Sequence, residues 1–331
     1  MRKVLLITGP GGDAQGWGDL HVTETVRDAL CAAGYPAEIA WVVTEADFRR
    51  ALAGHAFDIV WSALYYFSDR ADIIGIGDDG DTTWVADLLD ARNIPYIGPN
   101  AQTMKDLILK HETHRIMRAA GARVPSFAYV PRGAAAPEVR FPAFVKPDGE
   151  SRSVGISDDS VVQDRDALER RVRYVHERLG QAALIEDFLP GPEYTVLMLG
   201  NGPLQEILPG LVTVDPARFG KHEILRSDLR GVGLTKIRIP PDEAQAREAR
   251  EQTRIATDAL RCWDHVRADL RADAEGRLRI MEVNGIPGLK PVKSWSPQIY
   301  SLYHPAPGGP AEEYRNMLSL IVRSALLRHG L

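Results

Sequence analysis

The feature that most constrains the fold is a regular alternation of strand and helix patterns over residues 1–98. Short apolar or β-branched runs cover 4–8, 37–42, 57–63 and 94–97, and helical patterns around 22–33, 45–53 and 83–92 lie between them. Strands that alternate with helices in this way predict a parallel sheet covered by helices on both faces. We therefore expect an N-terminal α/β domain.

The pattern changes after residue 98, where Gly98-Pro99-Asn100 interrupts the alternation. The strand patterns that follow come in pairs, which predicts antiparallel sheets. We place these strands at 126–130, 141–145, 154–157, 183–188, 193–199 and 204–214, and helices at 98–121, 166–179, 243–263 and 314–326. The predicted fold class is α/β, with an α+β part divided into subdomains 99–182 and 183–331.

Composition narrows the functional class. With 331 residues, of which 44% are hydrophobic and 26% charged, the chain can bury the cores of two or three domains. A net charge of −5 disfavours nucleic acid and anionic membranes, and no apolar run reaches the roughly 18 residues of a membrane span. Cys31 and Cys262 are too few for a disulfide framework or a cysteine zinc site. We expect a cytoplasmic protein.

The strongest chemical signal lies in segment 265–290, where two strand patterns flank a turn. We predict a pairing that places Asp269 opposite Ile280. Side chains alternate along a strand, so Asp269 would then share a face with Glu282 and Asn284. Two carboxylates and an amide oxygen are ligands that Mg²⁺ prefers. The segment predicts a magnesium site; the alternative is a hairpin whose polar face is only solvated.

Two further motifs carry charges beside apolar strands. Lys146 ends one strand pattern, and the polar loop 148–155 that follows has backbone N–H groups suited to phosphates. Glu186 and Glu193 bracket a Pro-Gly-Pro turn. Taken alone, the lysine fits either a phosphate ligand or a strand end in solvent, and the two glutamates fit a surface connection.

In their order along the chain, these motifs resemble the ATP-grasp superfamily, and most closely its D-alanine–D-alanine ligase branch. The resemblance is carried by FVKP, ESRSVGI, EDFLPGPEYTV and RADL followed by EVNGIPG, and it covers residues 94 to 290. It implies an ATP-grasp fold, in which a Rossmann-like N-terminal domain precedes two antiparallel α+β subdomains that enclose ATP.

The resemblance also implies cofactors and site residues. The cofactors are ATP and two Mg²⁺ ions, with Mn²⁺ as an alternative metal. The implied nucleotide ligands are Lys110 and Lys146 for the phosphates, Ser153 in the phosphate loop, Glu186 with the backbone of Asp187, Phe188 and Leu189 for adenine, and Glu193 for the ribose. The implied metal ligands are Asp269, Glu282 and Asn284, and the implied catalytic cations are Arg267, Lys146 and Arg152. A third phosphate lysine is implied in loop 219–233; Lys221 is the nearest lysine, and a count along the chain reaches Arg226.

The implied reaction joins a carboxylate to an amine through an acylphosphate, with release of ADP and phosphate. Such phosphoryl transfer needs positioning and charge neutralisation more than a protein nucleophile. The substrates are expected to be small amino-acid or peptide-like molecules. The resemblance further suggests a homodimer formed through the N-terminal domain, and loop 219–233 is expected to act as a lid over the substrates.

The residues expected at the substrate are Gln15, Arg152, Gly288 and Lys293. Three of them depart from the family pattern. An ungapped count places Gln15 where the family has a glutamate, with Asp13 and Asp19 as displaced candidates, and it places Arg152 and Lys293, which is next to Ser294, where the family has serines. The alternative is that both cations point to solvent and leave the pocket unchanged. Replacing a carboxylate by an amide and adding two cations disfavours an ammonium ligand and favours an anionic one. We therefore expect a substrate pair other than two D-alanines, with true D-alanine–D-alanine ligase activity as the alternative.

Two other classes of function are weighed against this interpretation. Residues 9–14 contain a loose G-x-G-x-x-A pattern, which suits an NAD-dependent oxidoreductase only if a tight turn leads directly into a helix. A non-catalytic ATP-binding sensor is the other alternative, and a complete set of metal ligands disfavours it. His111 and His114 are expected to be surface neighbours of Lys110.

Overall fold

A computed structural model describes residues 1–67, 82–150, 153–229 and 234–331 of the chain. The strands are β1 Val4–Thr8, β2 Ala37–Trp41, β3 Ile59–Ser62, β4 Tyr66–Phe67, β5 Thr83–Trp84, β6 Tyr96–Ile97, β7 Phe127–Val130, β8 Ala143–Pro147, β9 Val161–Val162, β10 Ala183–Asp187, β11 Glu193–Leu199, β12 Glu206–Val214, β13 Thr235–Arg238, β14 His265–Ala272 and β15 Leu278–Asn284. The helices are α1 Gly12–Gln15, α2 Leu20–Ala32, α3 Glu45–Gly54, α4 Val85–Asp90, α5 Ala101–Ile108, α6 Lys110–Ala119, α7 Arg165–Arg178, α8 Glu243–Ala259, α9 Trp295–Tyr303 and α10 Pro310–Arg328. Within the described ranges, no helix combines the length and apolar character that crossing a bilayer requires.

The N-terminal sheet is parallel, as the alternation predicts, with strand order β2-β1-β3-β6. All five residues of β1 are buried, because this strand lies inside the sheet with helices against it. The first long helix starts only at Leu20, where Asp19 caps the Val22 amide. The intervening segment 9–19 contains only the four-residue α1, so it is not the tight strand-to-helix turn of a dinucleotide-binding site.

The central sheet is antiparallel, with strand order β7-β10-β8-β9. The strand expected at 154–157 is wrong: the short strand here is Val161–Val162, and positive φ angles at Ser153 (60°) and Gly155 (74°) form a turn before it. The expected subdomain boundary at 182/183 does not match the sheets either. Ala183–Asp187 pairs with β7 and β8, so the chain leaves this sheet only after Asp187.

The C-terminal sheet is also antiparallel, with strand order β13-β12-β11-β14-β15. The helix predicted at 314–326 is confirmed as part of α10. Its apolar residues at spacings of three and four form one buried stripe: Tyr314, Met317, Leu318, Ile321, Val322, Ala325 and Leu326. The same apolar core includes Val4 and Leu6 of β1 and Val26 of α2. Helix α10 therefore packs the C-terminal part of the chain against the N-terminal sheet.

Candidate active site

The β14–β15 hairpin presents one polar face, on which Asp269 and Glu282 are direct cross-strand partners. The predicted register, with Asp269 opposite Ile280, is wrong, because Ile280 pairs with Leu270. A β-bulge then inserts Met281, and this extra residue returns Asp269 to the face of Glu282. Asn284 pairs with Arg267, so the four polar side chains share one face although the pairing differs from the prediction.

Arg267 and Asp269 form a buried bidentate ion pair at the centre of this face. Arg267 Nε and Nη2 donate to the two Asp269 carboxylate oxygens at 2.9 and 2.8 Å, and the Thr195 hydroxyl donates to the same carboxylate at 2.8 Å. Burial lowers the pKa of Arg267, but the Asp269 carboxylate outweighs burial and raises it. The guanidinium lies 5.0 Å from the Trp295 ring, so it is held rigidly as a permanent cation.

Lys146 and Glu186 form a second buried pair on the central sheet. Lys146 Nζ and His114 Nε2 both lie 2.7 Å from Glu186 Oε1. Burial raises the pKa of Glu186, yet the Lys146 ammonium and His114 together lower it to about 2. The expectation that His114 lies at the surface is wrong: it is fully buried, because it lies one helical turn after the buried Lys110.

A cavity of about 110 Å³ lies between the central and C-terminal sheets. Its lining includes the nucleotide ligands expected from the sequence: Lys110, Lys146, Ser153, Glu186, Asp187, Phe188, Leu189 and Glu193, together with Asp269 and Glu282. The Asp187 and Phe188 amides donate to the carbonyls of Ser126 and Pro142. Of the backbone hydrogen bonds recorded for the described residues, none uses the Leu189 amide, so this amide is suited to bind the edge of a base.

Lys110 and the polar loop after β8 close one end of this cavity. Lys110 Nζ donates to the Glu150 carbonyl, and burial lowers the pKa of Lys110. Asp148 holds the loop to the start of α6, since its carboxylate accepts from the His111 amide at 2.8 Å and contacts the His111 ring at 2.6 Å. The Ser153 hydroxyl donates to the Leu225 carbonyl at 3.2 Å. Arg152 lies outside the described residues.

A larger cavity of about 490 Å³ adjoins the first and reaches the N-terminal domain. Its lining includes Asp13, Gln15, Trp17, Asp19, Tyr65, Arg267, Asn284, Gly288, Lys290, Lys293 and Ser294. Among the described residues, three line both cavities: Lys110, Glu150 and Glu282. A molecule in the larger cavity therefore meets a molecule in the smaller one beside a lysine and two glutamates.

The described substrate candidates all line the larger cavity, but their surroundings differ. Gln15 is buried, and its amide binds backbone: Oε1 accepts from the Tyr65 and Tyr66 amides at 2.8 and 3.2 Å, and Nε2 donates to the Tyr66 carbonyl at 3.3 Å. These bonds occupy the side chain, so Gln15 shapes the wall. Lys293 is exposed, and both it and Gly288 line the cavity.

The segment expected to supply a third phosphate cation lies at the edge of the smaller cavity. Its residues 219–229 are described and contain one 3₁₀ turn, Ser227–Leu229, whereas 230–233 lie outside the described residues. Lys221 is exposed and is absent from the lining of both cavities. Arg226 binds Asp228 instead, with Nε to Oδ1 at 3.0 Å. Neither cation is placed at the phosphate end in this conformation.

Sequence reasoning missed two residues of the site. Arg271 is buried, lines the smaller cavity and lies two positions after Asp269, so the alternation along β14 places it on the same polar face. Tyr65 lines the larger cavity, and its hydroxyl accepts from the Ile286 amide at 3.0 Å. The alternation of side chains along β14 could have indicated Arg271. Nothing in the sequence around Tyr65 indicates its contact with Ile286, which lies 221 positions further along the chain.

The metal candidates offer two carboxylates and one amide oxygen, which is a hard-oxygen set that fits Mg²⁺. Among the residues that the structure describes, no group of three or more His, Cys, Asp or Glu side chains converges as a metal site. Asn284 Nδ2 donates to Asp269 Oδ2 at 3.4 Å, which places the amide group beside the two acids. The types of donor fit the ion, and Arg267 binds both oxygens of the Asp269 carboxylate.

Comparison with known proteins identifies the class. The family described as D-ala D-ala ligase C-terminus matches residues 131–301, which is more than half of the chain. A D-alanine–D-alanine ligase of Ectopseudomonas mendocina is 31% identical over 67% of this chain and 69% of its own length. An uncharacterized protein of Sinorhizobium fredii is 29% identical over 65% of this chain, and the matched part spans 64% of that relative, less than two thirds of its length.

The fold agrees over the whole chain. A crystal structure of a Bacillus anthracis D-alanine–D-alanine ligase aligns with a TM-score of 0.74 at 18% identity and covers 100% of this chain and 99% of that chain. A second structure of that ligase, in complex with ATP, aligns with a TM-score of 0.72. The architecture is the ATP-grasp fold expected from the motifs. The chain belongs to the D-alanine–D-alanine ligase family of ATP-grasp ligases.

Proposed function

We propose that this protein joins the carboxylate of one amino-acid-like substrate to the amine of another, using ATP and an acylphosphate intermediate. The observation that carries the proposal is the meeting of the two cavities at Lys110, Glu150 and Glu282. A nucleotide in the smaller cavity would present its terminal phosphate to a carboxylate in the larger one. In-line phosphoryl transfer requires this arrangement.

The side chains at the junction supply charge neutralisation. Lys146 and Lys110 bind phosphate oxygens, and Arg267 stabilises the charge that develops on the transferring group and later on the oxyanion of the tetrahedral intermediate. Glu186 orients Lys146 through their 2.7 Å contact. The substrate carboxylate attacks the terminal phosphorus and ADP leaves; the second substrate's amine then attacks the acyl carbon, phosphate leaves, and the amine loses its proton.

Asp269, Glu282 and Asn284 are the residues that would hold magnesium. When bound, the metal neutralises phosphate charge and orients the terminal phosphate. Leu189 would bind the base edge through its amide, and Glu193 the ribose hydroxyls. The ATP complex of the Bacillus anthracis relative supports the nucleotide assignment. The number of ions, a homodimer and a cytoplasmic location stay predictions of the sequence.

The substrate class follows from the charges around the larger cavity. Lys290 and Lys293 line it together with Asp13 and Asp19. The two lysines favour a substrate with an additional anionic group, and the two aspartates are the carboxylates that would hold a substrate ammonium in place of the glutamate that the family pattern has near Gln15. We infer an amino-acid or peptide-like substrate pair other than two D-alanines. Family membership equally supports D-alanine itself, so it is the second candidate.

A panel assay tests both statements. The purified protein is given ATP, Mg²⁺ and single or paired amino acids, including D-alanine, acidic amino acids and dipeptides, and ADP release and amide products are measured. Substrate-dependent ADP release with a matching amide supports the ligase reaction. ATP binding without turnover of any substrate in the panel would favour a non-catalytic sensor. Formation of D-alanyl-D-alanine as fast as the product of the best pair would favour D-alanine–D-alanine ligase activity.

A further inference from the structure

Arg271 occupies an unusual position for a buried arginine, because each of its three nitrogens faces a different segment of the chain. Nε donates to the Gly191 carbonyl at 2.9 Å, Nη2 donates to the Glu223 carbonyl, and Nη1 lies 3.7 Å from Glu193 Oε2. These partners belong to the Pro-Gly-Pro turn, to loop 219–229 and to the start of β11. One guanidinium therefore joins the edge of the nucleotide cavity to the loop beside it.

A different residue, in the 3₁₀ turn Asp158–Ser160 before β9, fastens the same loop to the central subdomain. Asp158 accepts from the Lys221 and His222 amides at 2.9 and 3.3 Å. A side-chain carbon on Gly220 would lie 2.0 Å from the Asp158 carboxylate, so the contact needs glycine at that position. Loop 219–229 is thus held at both sides of the nucleotide cavity, by Asp158 in the 3₁₀ turn before β9 and by Arg271 in β14.

The loop also covers the cavity with apolar side chains. Ile224 and Leu225 are buried and line the cavity, and they directly follow Glu223, whose carbonyl accepts from Arg271. If this bond breaks, the guanidinium keeps a buried N–H without a partner, which is unfavourable. The loop is therefore held in place, because moving it away would leave a buried N–H group of Arg271 without an acceptor.

We propose that Arg271 is a positioning residue that fastens loop 219–229 over the nucleotide and links it to the ribose acid Glu193. The inference rests on the proposed function, since it takes the smaller cavity as the nucleotide site. Arg271 holds the loop through backbone carbonyls, and its interaction with Glu193 keeps that carboxylate directed toward the cavity. Loss of the guanidinium would therefore both loosen the loop and weaken ATP binding. The residues that act in phosphoryl transfer would stay in place.

The test compares Arg271→Met with Arg279→Met. Arg279 is the cross-strand partner of Arg271, and it binds Asp273 at 2.9 Å and is absent from both cavity linings, so it is a matched control. Trypsin cleavage after Lys221 and Arg226 is measured without nucleotide, and KM for ATP and kcat are measured separately. We expect Arg271→Met to raise the cleavage rate and KM roughly tenfold, as loss of a hydrogen bond to a charged group does, while kcat changes by less than about threefold.

Several outcomes would overturn the proposal. Unchanged cleavage and KM in Arg271→Met would do so, and so would a raised KM with unchanged cleavage, which would mean that Arg271 contacts the nucleotide but does not hold the loop. Arg271→Lys, which keeps the charge but reaches fewer carbonyls, should lie between the parent and Arg271→Met; equal behaviour of both variants would count against a geometric role. If Arg271→Met does not fold, Arg271→Lys carries the test alone and must still show faster cleavage. The cleavage measurement needs no turnover, so failure of the ligase assay and failure of this inference remain distinguishable.

Discussion

Asp269 lies directly opposite Glu282 in the β14–β15 ladder, and the bulge at Met281 is the cause. Continued pairing from Leu270–Ile280 would set Asp269 against Met281, with Glu282 on the other face. The bulge also turns the Met281 carbonyl toward Lys146, whose Nζ lies 3.5 Å away. One inserted residue thus brings two acids onto one face and links the hairpin to the phosphate lysine of the central sheet.

The first prediction concerns Glu282, which lines both cavities. Glu282→Gln removes one negative charge from a site proposed to hold divalent ions against phosphate, and we expect turnover to fall by about 10²-fold or more. Glu275→Gln, at the exposed turn of the same hairpin, is the control and should keep parental activity. Circular dichroism and the melting temperature should match the parent for both variants. Turnover of Glu282→Gln within a few-fold of the parent would contradict the metal assignment.

The second prediction concerns the buried Lys146–Glu186 pair. Glu186→Gln leaves the Lys146 ammonium without its carboxylate, and breaking a buried pair in this way costs about 3–5 kcal/mol of unfolding free energy. Urea denaturation at pH 7 measures the loss. Glu138→Gln is the control, because Glu138 is 94% exposed and only approaches Arg165 at 3.6 Å. Equal midpoints for the parent and Glu186→Gln would show that the pair does not stabilise the fold.

The pair also predicts how this stability difference varies with pH. The pKa of Glu186 is lowered from 4.5 to about 2, so the folded state favours the charged carboxylate more than the unfolded state does. Its contribution is therefore complete above pH 4.5 and declines as the pH falls toward 2. The gap between parent and Glu186→Gln should narrow over this range. A gap that stays constant down to pH 2 would argue against the assigned ionisation.

The sequence was sufficient for the polar face of the hairpin but insufficient for its register. Alternation places Glu282 and Asn284 on one face, because the period of a strand is a local property. Asp269 joins them only through the pairing of the two strands, and the predicted pairing reached the right face with the wrong partner. The bulge is a property of two strands together, and Met281 carries no compositional sign of it. The burial of His114 was not predictable for a similar reason. His114 lies on the same face of α6 as Lys110, and the sequence alone does not show whether that face points into the protein or into solvent.

The N-terminal sheet was predictable because both its strands and its helices leave strong local signals. The central sheet was harder to assign. Ala183–Asp187 follows a helix and precedes a turn, so its sequence does not indicate whether it pairs with earlier or later strands. Only the ladder with β7 and β8 places it in the central sheet.

The third prediction treats segment 219–233 as a lid. Trypsin should cut after Lys221 and Arg226 in the protein alone and much more slowly with Mg-nucleotide and substrate, because closure orders the segment and excludes water from an acylphosphate. Arg132, which is exposed in a turn of the central subdomain, supplies an internal control whose cleavage should not change. Identical cleavage after Lys221 with and without ligands would remove the lid from the mechanism.

The last prediction tests the role of Lys293 in choosing the substrate. Lys293→Ser restores the residue type that the family pattern has at this position and removes a cation from the rim of the larger cavity. For the best substrate found in the panel, we expect kcat/KM to fall by roughly tenfold, because the ion pair between the Lys293 ammonium and the anionic group of the substrate is lost. Lys236→Ser is the control: Lys236 is exposed on β13, and it alternates with Thr235, which lines the cavity. D-Alanine should gain relative to that substrate in Lys293→Ser and not in Lys236→Ser. An unchanged ratio of kcat/KM for the two substrates would show that Lys293 points to solvent and that the substrate class is set elsewhere.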